Sequence, residues 1–188
     1  GAEPTVPGCY DEYGAAFFVG NDVAVVGQDR CAVWQIDEIF DGCVNPNTAS
    51  SASCESAVVF NEACAACIYG GDLYGTPTGR SPVFFWTNSY GVLNVAACEA
   101  AAQGQPQCAR YGTDATMCAY TACEYACSGP EFAECTDYAL SAGSSCSLAI
   151  DAPAACADFL VLQASSPQCQ ATTFAAGFKK ISTYFCGP

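Results

Sequence analysis

The sequence predicts a mainly α-helical domain stapled by disulfides, with one small aromatic β-hairpin. Three observations predict it. Sixteen cysteines are spread along 188 residues. Alanine, the best helix former, supplies 33 residues, 22 of them beyond residue 95. A short aromatic run, Pro82-Val83-Phe84-Phe85-Trp86-Thr87, suits a strand. The length holds one compact domain or two small lobes. We read residues 1–80 as an acidic N-terminal lobe, helical with long loops. Residues 81–188 form a hairpin plus a cysteine- and alanine-rich helical lobe, the two making one compact unit.

Taken in order, Asp29 is positioned to cap a helix running to Phe40, with Val33, Ile36 and Phe40 on one face and Gly42 as its stop. A loop around Asn45-Pro46-Asn47 leads to a second helix over 53–68. Gly70-Gly71 and Gly75-Thr76-Pro77-Thr78-Gly79 read as another loop. The aromatic run then pairs with Val92-Leu93-Asn94-Val95 across a turn at Asn88-Ser89-Tyr90-Gly91, giving a hairpin over 82–95. Beyond it, helices are expected at 95–104, 106–128, 130–142, 152–163 and 167–185. Pro130, Pro153 and Pro167 suit first helical turns, and Asp151 and Ser166 are expected caps.

The cysteines are Cys9, Cys31, Cys43, Cys54, Cys64, Cys67, Cys98, Cys108, Cys118, Cys123, Cys127, Cys135, Cys146, Cys156, Cys169 and Cys186. Their number is even, histidine is absent, and only Cys64-Ala65-Ala66-Cys67 has CxxC spacing. Zinc sites favour clustered CxxC pairs, usually with histidine. The pattern therefore reads as up to eight disulfides in an oxidising compartment. Sixteen half-cystines allow on the order of two million pairings, so the connectivity stays open. One constraint follows from spacing: Cys123 and Cys127 point along the same side of a helix and should bond to partners elsewhere. The absence of an Asn-x-Ser/Thr sequon favours a bacterial source, and the start Gly1-Ala2-Glu3-Pro4 suits a mature or trimmed form.

Five basic residues face nineteen acidic ones, for a net charge of −14. Such a chain repels phosphate, which excludes nucleic acid and anionic membranes as partners. Its apolar runs are too short to give a transmembrane segment.

The blocks Gly91-Val92-Leu93-Asn94-Val95-Ala96-Ala97-Cys98, Cys108-Ala109-Arg110-Tyr111 and Cys118-Ala119-Tyr120-Thr121-Ala122-Cys123-Glu124-Tyr125-Ala126-Cys127 combine fixed cysteine spacing with small-residue filler. Together with Phe132-Ala133-Glu134-Cys135 and Cys146, they resemble uncharacterised cysteine-rich, alanine-rich secreted proteins of the myxobacterial type. The resemblance covers roughly residues 60–188. It implies an extracytoplasmic location and a helical cysteine framework, and it transfers no catalytic residue.

The absence of histidine removes Ser-His and Cys-His nucleophile systems and histidine-held metals. Cys64 and Cys67 read as two structural half-cystines, with a redox pair as the alternative. The carboxylate pairs Asp11/Glu12, Asp37/Glu38/Asp41 and Glu131/Glu134 read as solvated acidic faces; glycoside hydrolysis is their catalytic alternative. Asp37, Glu38 and Asp41 are also the candidate metal ligands. Calcium wants roughly six to eight oxygens on a flexible loop, and no EF-hand alternation is present, so no metal and no cofactor is assigned. Lys179-Lys180 with Ser182 has the composition of a Ser-Lys dyad, but reads better as a solvated face near a helix end. Phe84, Phe85, Trp86 and Tyr90 are the candidate interface residues; aromatic clusters of this kind are more often core, and mark a contact site where they are exposed.

These readings converge on a secreted or cell-surface structural or interaction protein, whose partner is itself or another extracellular protein. A small-molecule or lipid binding module is the alternative, and a secreted carboxylate hydrolase the third reading.

Overall fold

The computed structural model describes residues 5–13, 25–70, 81–87, 90–124, 126–159 and 165–188; for 84–87, 90, 148 and 149 only the backbone is described. The chain is mainly helical. In order it forms α1 (Val33–Cys43), α2 (Ser51–Phe60), α3 (Glu62–Tyr69), β1 (Val83–Thr87), β2 (Tyr90–Leu93), α4 (Val95–Ala102), α5 (Ala109–Cys123), α6 (Pro130–Ala139), α7 (Ser145–Ala149) and α8 (Phe174–Cys186).

The first helix differs from its sequence expectation at both ends. Asp29 is not its cap. The segment 27–31 instead runs along the C-terminus of α8, where five of its N–H groups donate to Tyr184, Phe185, Cys186 and Gly187 carbonyls at 2.7–3.1 Å. A helix leaves its last carbonyls without internal partners, and this segment satisfies them. Asp29 takes a left-handed φ of 52° to do so. α1 starts after Ala32, whose N–H is held by the Gln35 side chain at 2.8 Å. Ile36 and Phe40 are buried as expected, but Val33 in the first turn is exposed. Gly42 is not a stop; it lies inside α1. A Cβ there would sit 2.9 Å from the Ala57 Cβ and 2.9 Å from the Ser53 carbonyl, so glycine is what lets α2 approach.

The helix expected over 53–68 is two helices. Ser50 caps α2 by accepting the Ser53 N–H at 3.1 Å. The break falls at Asn61, which is buried. Its side-chain amide donates to Glu38 at 3.0 Å and to the Ala57 carbonyl at 2.9 Å, and accepts from Gln35 at 3.0 Å. Gly70 ends α3 in the left-handed conformation.

The expected hairpin forms. Val83 faces Leu93, Phe84 faces Val92 and Phe85 faces Gly91, with a register shift before Thr87 meets Tyr90. Asn94 then caps α4, accepting the Ala97 N–H at 3.1 Å. In place of one helix over 106–128, a short 3-10 turn at Pro106–Cys108 precedes α5, which ends at Cys123. α6 begins at Pro130 as expected, and α7 was not anticipated. A 3-10 helix at Ala154–Phe159 replaces the α-helix expected over 152–163, whose last residues lie outside the described ones. α8 starts at Phe174 under a Thr173 cap, not at Pro167 under Ser166.

All sixteen cysteines are paired. The bridges are Cys9–Cys127, Cys31–Cys64, Cys43–Cys54, Cys67–Cys186, Cys98–Cys169, Cys108–Cys156, Cys118–Cys146 and Cys123–Cys135. Cys123 and Cys127 bond to separate partners, as expected, although Cys127 lies beyond the end of α5 and not on one helix with Cys123. The principal core joins Ile36, Ile39 and Phe40 of α1, Ile68 of α3, and Phe178, Ile181 and Phe185 of α8 with Ala97 and Ala100 of α4. A satellite core between α5, α6 and α7 contains only alanines and half-cystines among its buried members: Cys118, Ala119, Ala122, Cys123, Cys135, Ala139 and Cys146. Small side chains bury little apolar area. Here covalent bridges, each contributing about 2–4 kcal/mol in isolation, replace bulk as the source of stability.

Candidate functional site

Two surfaces stand out among the described residues. The first is the outer side of the α1–α2 pair. The two helices are antiparallel, closed at one end by Cys43–Cys54 and at the other by the Asn61 hydrogen bonds to Gln35 and Glu38. α1 turns Ile36, Ile39 and Phe40 to the core, and α2 packs on the side of α1 that carries Gly42. At 100° per residue, Trp34 falls opposite the core face, on one stripe with Glu38 and Asp41. Phe60 ends α2 next to Asn61, which bonds to Glu38. Both aromatics project into solvent: Trp34 is 59% and Phe60 81% exposed.

The second surface is an open groove of about 870 Å³ along α8. Val26, Ala176 and Tyr184 supply apolar wall, and Pro167 and Gln168 form the opposite rim. Lys179 and Lys180, two of the five basic residues of the chain, line it as well. The Lys180 ammonium donates to the Pro167 carbonyl at 2.8 Å and the Gln170 carbonyl at 3.0 Å.

That rim is also held from within by Glu99. Its carboxylate is buried and accepts the N–H groups of Ser165 and Ser166 at 2.6 and 2.7 Å. It accepts their hydroxyls at 3.0 and 2.7 Å, and the Gln103 amide at 3.0 Å. Burial by itself would raise this carboxyl. The hydrogen bonds from Ser166, Gln103 and Ser165 together outweigh burial, and the net direction is downward from the ordinary 4.5. With Cys98–Cys169 beside it, Glu99 fixes the turn at 165–170. Ser166 thus serves Glu99 instead of capping a helix.

The candidates from the sequence are dispersed. Asp37 pairs with Lys179 at 2.6 Å, Glu38 accepts from Asn61 at 3.0 Å, and Asp41 accepts from Asn45 at 3.0 Å. Among the described residues these three carboxylates do not gather into a metal-sized cluster. Asp11 accepts the Tyr13 N–H at 2.9 Å, and Glu12 accepts the Ser145 hydroxyl at 3.3 Å. Glu131 and Glu134 are exposed on α6. The Ser182 hydroxyl is buried without a hydrogen-bond partner among the described residues, and the lysines bond elsewhere. Neither lysine lies in the last turn of α8, so the helix end is served by the 27–31 amides and not by their charge. Cys64 and Cys67 bond to Cys31 and Cys186, not to each other. The side chains of Phe84, Phe85, Trp86 and Tyr90 lie outside the described residues.

Sequence reasoning missed Glu99 and the exposure of Trp34 and Phe60. The helical wheel of α1 carries a signal for Trp34, which falls off the Ile36–Phe40 face. Nothing local to Glu99 announces partners 66 and 67 residues away. Compared with family models, with curated proteins and with solved structures, the chain has no match in any of the three.

Eight disulfides in a chain of this length fit an extracellular, disulfide-stabilised protein. Among the described residues no helix is long and apolar enough to cross a membrane.

Proposed function

We propose that this protein is a structural or interaction protein of the cell exterior that associates with further copies of itself through exposed aromatic side chains. The observation that carries the reading is the exposure of Trp34 and Phe60 on a helix pair locked by Cys43–Cys54 and Asn61. Large aromatics are favoured interface anchors because they bury much area at low entropy cost. Presenting them on a stapled scaffold lowers the ordering cost of association further. The hairpin residues Phe84, Phe85, Trp86 and Tyr90 belong to the same proposal.

Charge opposes this association. Glu38 and Asp41 share the stripe of Trp34, and the whole chain carries −14. Salt, which screens such repulsion, should therefore strengthen it. Sedimentation at rising salt tests the reading on the parent, Trp34→Ala, Phe60→Ala, Phe85→Ala and Trp86→Ala. The expected result is salt-promoted association that Trp34→Ala and Phe60→Ala weaken. A parent that stays monomeric at high concentration and high salt overturns it.

The groove along α8 favours a second reading, a module that binds a small amphiphile. Its apolar wall and Lys180 rim suit a ligand with an apolar body and one anionic group. Native mass spectrometry of protein from its own source would show such a ligand as a discrete added mass, and a bare chain mass would remove this reading.

A further inference from the structure

Three sulfur atoms from two different disulfides meet where α5 runs towards α6. The Sγ atoms of Cys9, Cys127 and Cys135 all lie within 4.8 Å of one another. Cys9 is bonded to Cys127, and Cys135 is bonded to Cys123, whose sulfur is outside this trio. Cys9 and Cys127 are half-buried, while Cys123 and Cys135 are fully buried. A reagent from solvent therefore reaches the Cys9–Cys127 bridge first.

We propose that this trio is a thiol–disulfide exchange centre whose substrate is a low-molecular-weight thiol. The thiolate of that molecule attacks Cys9, forming a mixed disulfide and expelling Cys127 as a thiolate. Cys127 attacks the Sγ of Cys135, which lies within 4.8 Å of it. The Cys127–Cys135 bond forms, the Cys123–Cys135 bond breaks, and Cys123 leaves as a thiolate that takes up a proton. Each exchange consumes one thiolate and releases one, so no oxidant is needed. A second thiol molecule then attacks the mixed disulfide; Cys9 leaves as a thiol and the two small thiols end as their own disulfide.

The geometry gives the relay a direction. Cys135 is the member of the inner bridge within reach, so Cys123 is the sulfur that leaves. Afterwards α6 is still stapled to the end of α5, now through Cys127. What is lost is the covalent hold on the N-terminal segment. That segment keeps the hydrogen bond from the Asp11 N–H to the Ala122 carbonyl at 2.8 Å, the Ser145 to Glu12 hydrogen bond, and the edge-on contact of Tyr10 with Tyr138. The exchange thus converts a tethered segment into a releasable one without opening the satellite core.

Limited reduction of the native protein by a phosphine at mildly alkaline pH, then acid quench, alkylation and peptide mapping, tests the proposal. The phosphine cuts Cys9–Cys127 and delivers the same Cys127 thiolate. The expected product carries label on Cys9 and Cys123, with Cys127 and Cys135 unlabelled; label on Cys123 together with Cys127 would mean that Cys9 made the attack, and overturns the proposed relay. Label confined to Cys9 and Cys127 overturns the proposal. Label on Cys123 together with Cys135 overturns it too, since that pair marks direct reduction of the inner bridge. The Cys9→Ser variant repeats the test without a reductant. Its single thiol begins on Cys127, and about a tenth or more of it should be found on Cys123 at equilibrium. Label on Cys127 alone overturns the relay.

Discussion

The Glu99 carboxylate receives both the N–H and the hydroxyl of Ser166, each at 2.7 Å, from 67 residues further along the chain. Hydrogen bonds to a charged group are the strong ones. Their preference for the ionised form is why this carboxyl sits below its ordinary 4.5 although it is buried. A depressed folded value means that its stabilisation is full above the unfolded value. It is lost as pH falls from 4.5 through the folded value. Glu99→Gln should cost about 1–3 kcal/mol at neutral pH in denaturant titrations. It should also flatten the acid limb of the stability profile below pH 4.5, where the parent loses this contribution. An acid limb identical in parent and variant would show that Glu99 does not stabilise the fold by its charge.

Gly42 is a second point of tight tolerance. An added methyl group meets the Ala57 Cβ and the Ser53 carbonyl, both at 2.9 Å. Backbone cannot yield as a flexible side chain can, so α2 must shift. Gly42→Ala should destabilise by about 1–3 kcal/mol, read from the denaturation midpoint. Ala57→Gly in the same chain should recover only part of the loss, because the Ser53 carbonyl remains.

How far the sequence reads through to the fold depends on whether the deciding contact is local. α6 begins at Pro130, and the hairpin at 82–95 forms, because proline geometry and β-branched aromatic runs act within a few residues. Cys123 and Cys127 bond to separate partners, but not for the reason the spacing suggested, because Cys127 lies beyond the end of α5. Asp29 fails as a cap because its segment completes the C-terminus of α8, a contact spanning more than 150 residues. Pro167 does not start a helix; the turn it lies in is instead held to Glu99 through the N–H groups and hydroxyls of Ser165 and Ser166. At the candidate site the same division holds. The projection of Trp34 follows from the α1 pattern, whereas the α8 groove exists only once the turn at 165–170 and the 27–31 segment are brought beside that helix.

Removal of divalent cations should leave stability unchanged. Asp37, Glu38 and Asp41 each bond to a different protein group, namely Lys179, Asn61 and Asn45. A calcium site would need these oxygens to converge. Thermal unfolding with and without a chelator should give the same midpoint, and a drop of more than a few degrees would reveal a site built by other residues. Alkylation of the denatured, unreduced protein should likewise label none of the sixteen cysteines.

The contact of α1 with α8 allows charge and packing to be separated. Lys179 Nζ lies 2.6 Å from Asp37 Oδ1, and the two side chains are 45% and 44% exposed. The same ammonium sits 5.4 Å from the centre of the Phe40 ring. Water competes strongly for both charges at this exposure, so the pair should couple by only about 0.2–1 kcal/mol in a double-mutant cycle. Added salt should reduce that coupling. The aliphatic stem of Lys179 is a different matter, since it covers apolar surface whatever its charge does. Lys179→Met keeps the stem and should cost no more than Asp37→Asn, whereas Lys179→Ala removes the stem and should cost more than either. Denaturant midpoints of the three variants decide it. Equal losses for Lys179→Met and Lys179→Ala would mean that the charge pair, and not the stem, holds α8 against α1.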